Sequence, residues 1–249
     1  MLSIENKNDI PVFAGKESKS KLTHDNWAKE ISTSGISTNI EEMIDFYWKM
    51  IDAHVKEGGN RLHIAAIGPL SNILHVRNVD PEGFDKAVQL LIMGGAIKKG
   101  YLGKLNIIPE YNIYTDRKAA RILFNEASVS IAMVPLDVTA NLKISRKGLQ
   151  RLDSLADHDH LIMGLMEMVH DFKHHLLGKR PVILFDPATI ATLLDETIST
   201  FTEMPVWISN FGFSKIKRKE ISKKRVCTKL DKDRFFDLFF DMISQSNKL

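Results

Sequence analysis

Residues 90–93 read Leu-Leu-Ile-Met and stop at Gly94-Gly95. A short apolar run closed by two glycines is how a buried strand ends where its backbone must approach something closely. After a loop, Pro109-Glu110-Tyr111-Asn112 sets a carboxylate and an amide two residues apart. Residues 117–124 then read as a helix, and residues 130–134 as the next buried strand. Strand, long loop, helix, strand is the repeating unit of a parallel α/β sheet. Polar groups on the loop after the first strand lie where ligands of open α/β sheets bind.

The rest of the chain repeats this grammar. Strands are expected near residues 10–14, 62–67, 89–93, 130–134 and 181–184. Thr38 and Glu41 form a capping box for a helix with an apolar stripe at Ile40, Met43, Ile44, Tyr47, Met50 and Ile51, stopped by Gly58-Gly59. Gly68-Pro69-Leu70-Ser71-Asn72 makes a tight turn into another helix, capped by Ser71 or Asn72. Residues 144–155 and 160–177 read as helices; His170 and His174 share a face there, read as a wet surface rather than a zinc site. An amphipathic helix closes the chain over residues 231–244. With 249 residues, 44% of them hydrophobic, one core is the natural outcome, so residues 1–249 are read as a single domain. The fold class is α/β, a mainly parallel open sheet with helices on both faces, Rossmann-like. A formal charge of +3 says little about partners. One cysteine, Cys227, allows no internal disulfide and suits a reducing compartment. No run reads as a signal peptide or a bilayer span, so a cytoplasmic protein without a membrane partner is expected.

Several landmarks together resemble the inosine–uridine-preferring nucleoside hydrolases. They are Met93-Gly94-Gly95, the run Glu110-Tyr111-Asn112-Ile113-Tyr114-Thr115-Asp116, Val134-Pro135-Leu136-Asp137, the Gly68 to Asn72 turn, and Asp186-Pro187. The resemblance implies a nucleoside hydrolase-like fold. It also implies hydrolysis of the N-glycosidic bond of purine or pyrimidine ribonucleosides to ribose and free base, a step of nucleoside catabolism. The family uses a calcium ion (Ca2+) to hold the ribose hydroxyls and a water, and an aspartate to take the water's proton. Carried over by residue, Asp186 matches a calcium ligand and Leu91 the residue giving a backbone carbonyl to the metal. Glu110 and Asn112 match the pair that hydrogen-bonds the ribose hydroxyls; a carboxylate and an amide suit a diol. His24 stands about where the family places a histidine near the sugar, although the glycines of that loop are missing and an exposed loop histidine is the alternative. The implied partners are a ribonucleoside or ribose, and further copies of the chain in a homo-oligomer.

The chain also departs from the pattern. The family's opening D-x-D-x-x-x-D-D strand has no counterpart, so roughly the first quarter of the family's domain is lacking. Asp231, Asp233 and Asp237 share the spacing but fall on the closing helix, where capping explains them. Lys104 takes the place of an asparagine, and Phe185 that of a histidine before Asp186. No catalytic residue is identified, and with so few anionic ligands the calcium cage is incomplete. Three readings stay open: a nucleoside hydrolase completed by a further segment or chain, a non-catalytic or ligand-binding family member, and a nucleic-acid binder through residues 215–229. That run holds eight basic residues and one acid, Glu220. It is read as the solvated face of an edge hairpin, with Lys217, Arg218, Lys223 and Lys224 exposed, so nucleic acid is not the expected partner.

Overall fold

A computed structural model describes residues 10–15, 36–156, 166, 181–217 and 222–245. Its centre is a five-stranded sheet in the order β1-β2-β3-β7-β4. β1 (Leu62–Ala66), β2 (Val88–Met93), β3 (Ser130–Val134) and β7 (Lys224–Leu230) run parallel. β4 (Ser199–Met204) pairs antiparallel with β7 at the edge. β5 (Val206–Ile208) and β6 (Ser214–Ile216) form a separate hairpin. β2 and β3 are almost wholly buried, as continuous apolar runs between helical layers must be.

The helix Ile40–Lys56 lays Met43 and Ile51 into the core formed with β1 and β2. Asn39, not Thr38, caps it: the Asn39 Oδ1 accepts the Glu41 N–H at 2.9 Å. The turn after β1 leads into Ser71–Arg77, where Leu70 holds the cap position without a side-chain bond. Ser71 and Asn72 are the first two residues of the helix itself, one and two positions past the cap. The chain after β2 returns through Tyr111–Thr115, Arg117–Arg121 and a wider π turn, Ile122–Glu126, before β3.

Three expectations are corrected. Residues 10–14 form no strand of the sheet; Phe13 makes a single parallel bridge to Ser37 and its ring packs on Phe46. Residues 181–184 likewise turn aside, because their backbone is taken by the segment before the next helix: Ile144 N–H donates to Val182 O and Leu184 N–H to Leu142 O. The basic run is not an edge hairpin throughout. Its second half is β7, an interior strand, so Lys224 is buried at 2% exposure and donates to Ser222 Oγ at 2.8 Å. Lys217 and Lys223 are exposed as expected, and Arg218 lies outside the described residues.

Candidate functional site

The site begins where β2 ends. Gly95 has φ +76°, a conformation that strains any side chain, and a Cβ there would also press on the tip of Met133, 2.3 Å from its Cε. The turn is pinned to β3 through Gly94 N–H to Val134 O and Leu136 N–H to Gly95 O. Downstream, the Asp137 carboxylate accepts the N–H groups of Ile97, Lys98 and Lys99 at 2.7, 2.8 and 3.1 Å. One side chain thus fixes the loop that leaves the glycines.

Glu110 closes on this turn. Its Oε2 accepts from Gly95 N–H at 3.0 Å and Ile113 N–H at 3.1 Å, and its Oε1 accepts from Asn112 N–H at 2.9 Å. It is therefore the N-cap of the Tyr111–Thr115 helix and is buried at 4% exposure. Burial pushes its carboxyl above the usual range against the pull of the three N–H donors, and the Asp186 charge adds to the rise. A carboxylate has about four acceptor positions, so one is left for a ligand hydroxyl.

Asn112 bridges two strand ends. Its Nδ2 donates to Ile67 O at 3.2 Å and to Met93 O at 3.1 Å. Its Oδ1 takes no protein donor among the described residues. Asp186 lies in the first turn of the helix Phe185–Leu194, where the helix dipole favours a negative charge. It is half-buried, and burial raises its carboxyl too. Phe185, beside it, packs on the cluster of Met93, Ala96 and Leu136.

The sequence-derived residues separate here. Glu110, Asn112 and Asp186 gather at the carboxyl end of β2. Leu91 sits inside the ladder, opposite Ala65 and Ala132, with its side chain in the cluster of Ala132, Val134, Val138 and Cys227. The strand-end carbonyls that meet Asn112 are those of Ile67 and Met93. His24, His170 and His174 lie outside the described residues. Lys104 is exposed on the loop. Asp231 caps the closing helix Lys232–Gln245 through Asp233 N–H and Arg234 N–H, at 3.1 and 3.2 Å.

Two residues went unread in the sequence. Asn106 donates from Nδ2 to Ala96 O at 2.6 Å, while its Oδ1 is buried without a partner among the described residues. Tyr101 Oη accepts the Tyr111 N–H at 2.8 Å, and burial pushes its phenol up to about 12. Only the polarity of the loop hinted at either.

A calcium ion takes six to eight oxygens, several of them carboxylate. Among the described residues no three His, Cys, Asp or Glu side chains gather to hold a metal. Asp186 has an unshared carboxylate, but three of Glu110's acceptor positions are already committed. The described residues do not make a calcium site.

The sequence profile of a family described as inosine-uridine preferring nucleoside hydrolase matches residues 1–237. An uncharacterized protein of Schizosaccharomyces pombe is 28% identical over 221 residues, covering 84% of this chain and 69% of its own. The pyrimidine-specific ribonucleoside hydrolase RihA of Salmonella typhimurium is 31% identical over 163 residues, 64% of this chain. That match spans 50% of RihA's length. Among solved structures, the plant nucleoside hydrolase PpNRh1 superposes with a TM-score of 0.77 at 21% identity, over 99% of this chain and 83% of its own. A purine-preferring ribonucleoside hydrolase from Gardnerella vaginalis gives 0.76 at 20% identity, over 99% and 84%. At those identities the superpositions speak for the fold.

Proposed function

The chain belongs to the inosine-uridine preferring nucleoside hydrolase family, and from that premise we propose that its Glu110–Asn112 pocket binds the ribose of a ribonucleoside without hydrolysing it at an enzyme-like rate. The family reaction is hydrolysis of ribonucleosides. The observation that carries the binding half is the pair of acceptors held ready at one strand end. Glu110 keeps one acceptor position after three backbone N–H groups are bound, and Asn112 presents Oδ1 while its amide nitrogen is fixed. Two adjacent hydroxyls can donate to two such acceptors. Asn106 Oδ1, buried and unpartnered among the described residues, supplies a third acceptor on the same loop.

The hydrolytic half lacks parts. Near this pair the described carboxylates are engaged or sheltered: Glu110 is buried and holds three backbone N–H groups, Asp137 holds three more, and Asp186 is half-buried, so none stands ready to take a proton from water; Phe185 has no proton to give. General acid–base assistance is typically worth roughly 100- to 10,000-fold. The family implies calcium; among the described residues of this site it would meet the Asp186 carboxylate and no second uncommitted one, fewer anionic ligands than the ion requires. His24 is kept as a ribose contact on resemblance alone. Exposed Leu105, Ile107, Ile108 and Phe211 lie on the loops of this region, which supports an oligomeric form. Among the described residues no helix is long and apolar enough to cross a membrane. The named relatives differ in base preference, and none is carried over.

The test pairs binding with turnover. Ribose, inosine and uridine are titrated by calorimetry, and ribose release is assayed with added calcium. Binding with turnover well below about 1 per second, the low end of ordinary enzymes, is the expected result. Turnover at or above that value refutes the impairment, and absence of any binding refutes the pocket.

A further inference from the structure

Away from that site, two helices begin at one cavity of about 360 Å³. The first is Arg146–Ala156, started by Ser145, whose Oγ accepts the Gly148 N–H at 3.0 Å. The second is the closing helix Lys232–Gln245. Gly148 lets them approach: a Cβ there would lie 3.4 Å from the Phe240 ring and 2.8 Å from Ile144. Each helix start carries the positive end of a dipole.

At the first helix start the side chains add to that charge; at the second, Asp231 caps the helix and Asp233 lies in its first turn. Lys143, Lys147, Arg151 and Lys232 line the cavity with one acid, Asp233, and Asp231 caps the second helix beside it, so four cations meet two carboxylates. No acidic residue lies in the first turn of Arg146–Ala156, where acids are favoured and cations are not. None of the four cations has a carboxylate within ion-pair distance among the described residues. Two are held in place by rings: Arg151 stands 4.4 Å over Phe240 and Lys232 5.9 Å over Phe236. The cations outnumber the two acids, and the excess positive charge at two helix starts favours a further anion among them.

We propose that this cavity binds a phosphate group, either free phosphate or a small phosphomonoester. The volume lies within the range of small-molecule sites, and a concave cavity of this size suits a compact anion better than a polymer laid across a surface. The site is separate from the Glu110 pocket and does not depend on the ribose reading.

Calorimetry of the full chain with inorganic phosphate, phenyl phosphate and a short oligothymidylate tests it. Neither small probe carries a sugar, so the ribose pocket does not contribute. Phosphate binding is expected, and it should weaken at least about tenfold when Lys143, Lys147 and Lys232 are all changed to Gln, the loss of one or two charge-assisted hydrogen bonds. Phenyl phosphate binding more tightly than inorganic phosphate would identify a phosphomonoester; equal affinity would identify free phosphate. Changing Lys49 and Lys56 to Gln on the helix Ile40–Lys56 should leave binding intact. The proposal fails if neither small probe binds at about 10 mM, the weak limit of a specific small-ligand site. It also fails if the triple variant binds unchanged, if the distant pair matters equally, or if only the oligothymidylate binds.

Discussion

Glu110 Oε2 accepts the backbone N–H of Gly95 at 3.0 Å, across a loop of fifteen positions. That bond makes the side chain proposed to bind ribose also the clasp of the loop that forms the pocket. Glu110→Ala should therefore abolish ribose binding and cost stability together. Three N–H donors lose their acceptor, one of them buried beside the glycine turn. Allowing for the carboxylate's own burial penalty, the loss should be roughly 1–3 kcal/mol. Urea unfolding measures it, and an unchanged midpoint would disprove the clasp.

Asp186 raises the Glu110 carboxyl through like charge, after burial. Asp186→Asn should lower it. Because the Glu110 value is raised, the folded state holds more protons than the unfolded state between 4.5 and the folded value. Stability from this group accordingly falls as pH rises through that window, and the substitution should narrow the window. Carbon-detected NMR titration of the Glu110 carboxyl follows this directly. An unmoved midpoint would mean that the two carboxylates do not sense each other.

Asn106 joins a fixed amide nitrogen to an unpartnered oxygen. Asn106→Ala removes one hydrogen bond and one unsatisfied buried acceptor, which roughly offset, so stability should change by less than about 1 kcal/mol. Ribose affinity should fall about tenfold, the loss of one hydrogen bond to the sugar. If affinity holds while stability falls, Asn106 only braces Ala96.

Phe185→His places a proton donor next to Asp186, but no ribose release should follow, because among the described residues no aspartate beside it is placed to activate water. The imidazole would also replace a ring packed on Met93, Ala96 and Leu136, costing about 1–2 kcal/mol. Turnover from this single change would overturn the account of the missing base.

Much of the fold could be read from local pattern. β2 and β3 are apolar runs bounded by polar turns, and the Glu110–Asn112 pair lies on the connection between them. What could not be read depends on partners far along the chain. β7 contains Lys224, Arg225 and Lys229, so its charge pointed to the surface; only pairing with β3 and β4 shows an interior strand with a buried lysine. Residues 10–14 and 181–184 are apolar enough for strands, but their backbones find other partners. Thr38 and Asn39 are both good caps, and the choice between them turns on one residue of register. Asn106 is an ordinary loop amide until Ala96 is seen beside it.

Asn112 holds Ile67 O and Met93 O with one amide nitrogen. A guest that pulled this nitrogen away would uncover two carbonyls at once, so it must enter by the oxygen side and leave the tie intact. The two strand ends are thus set before anything arrives, like a mould rather than a glove. Occupancy should slow hydrogen exchange at the ends of β1 and β2 together, because one knot secures both, and should involve little rearrangement of either strand.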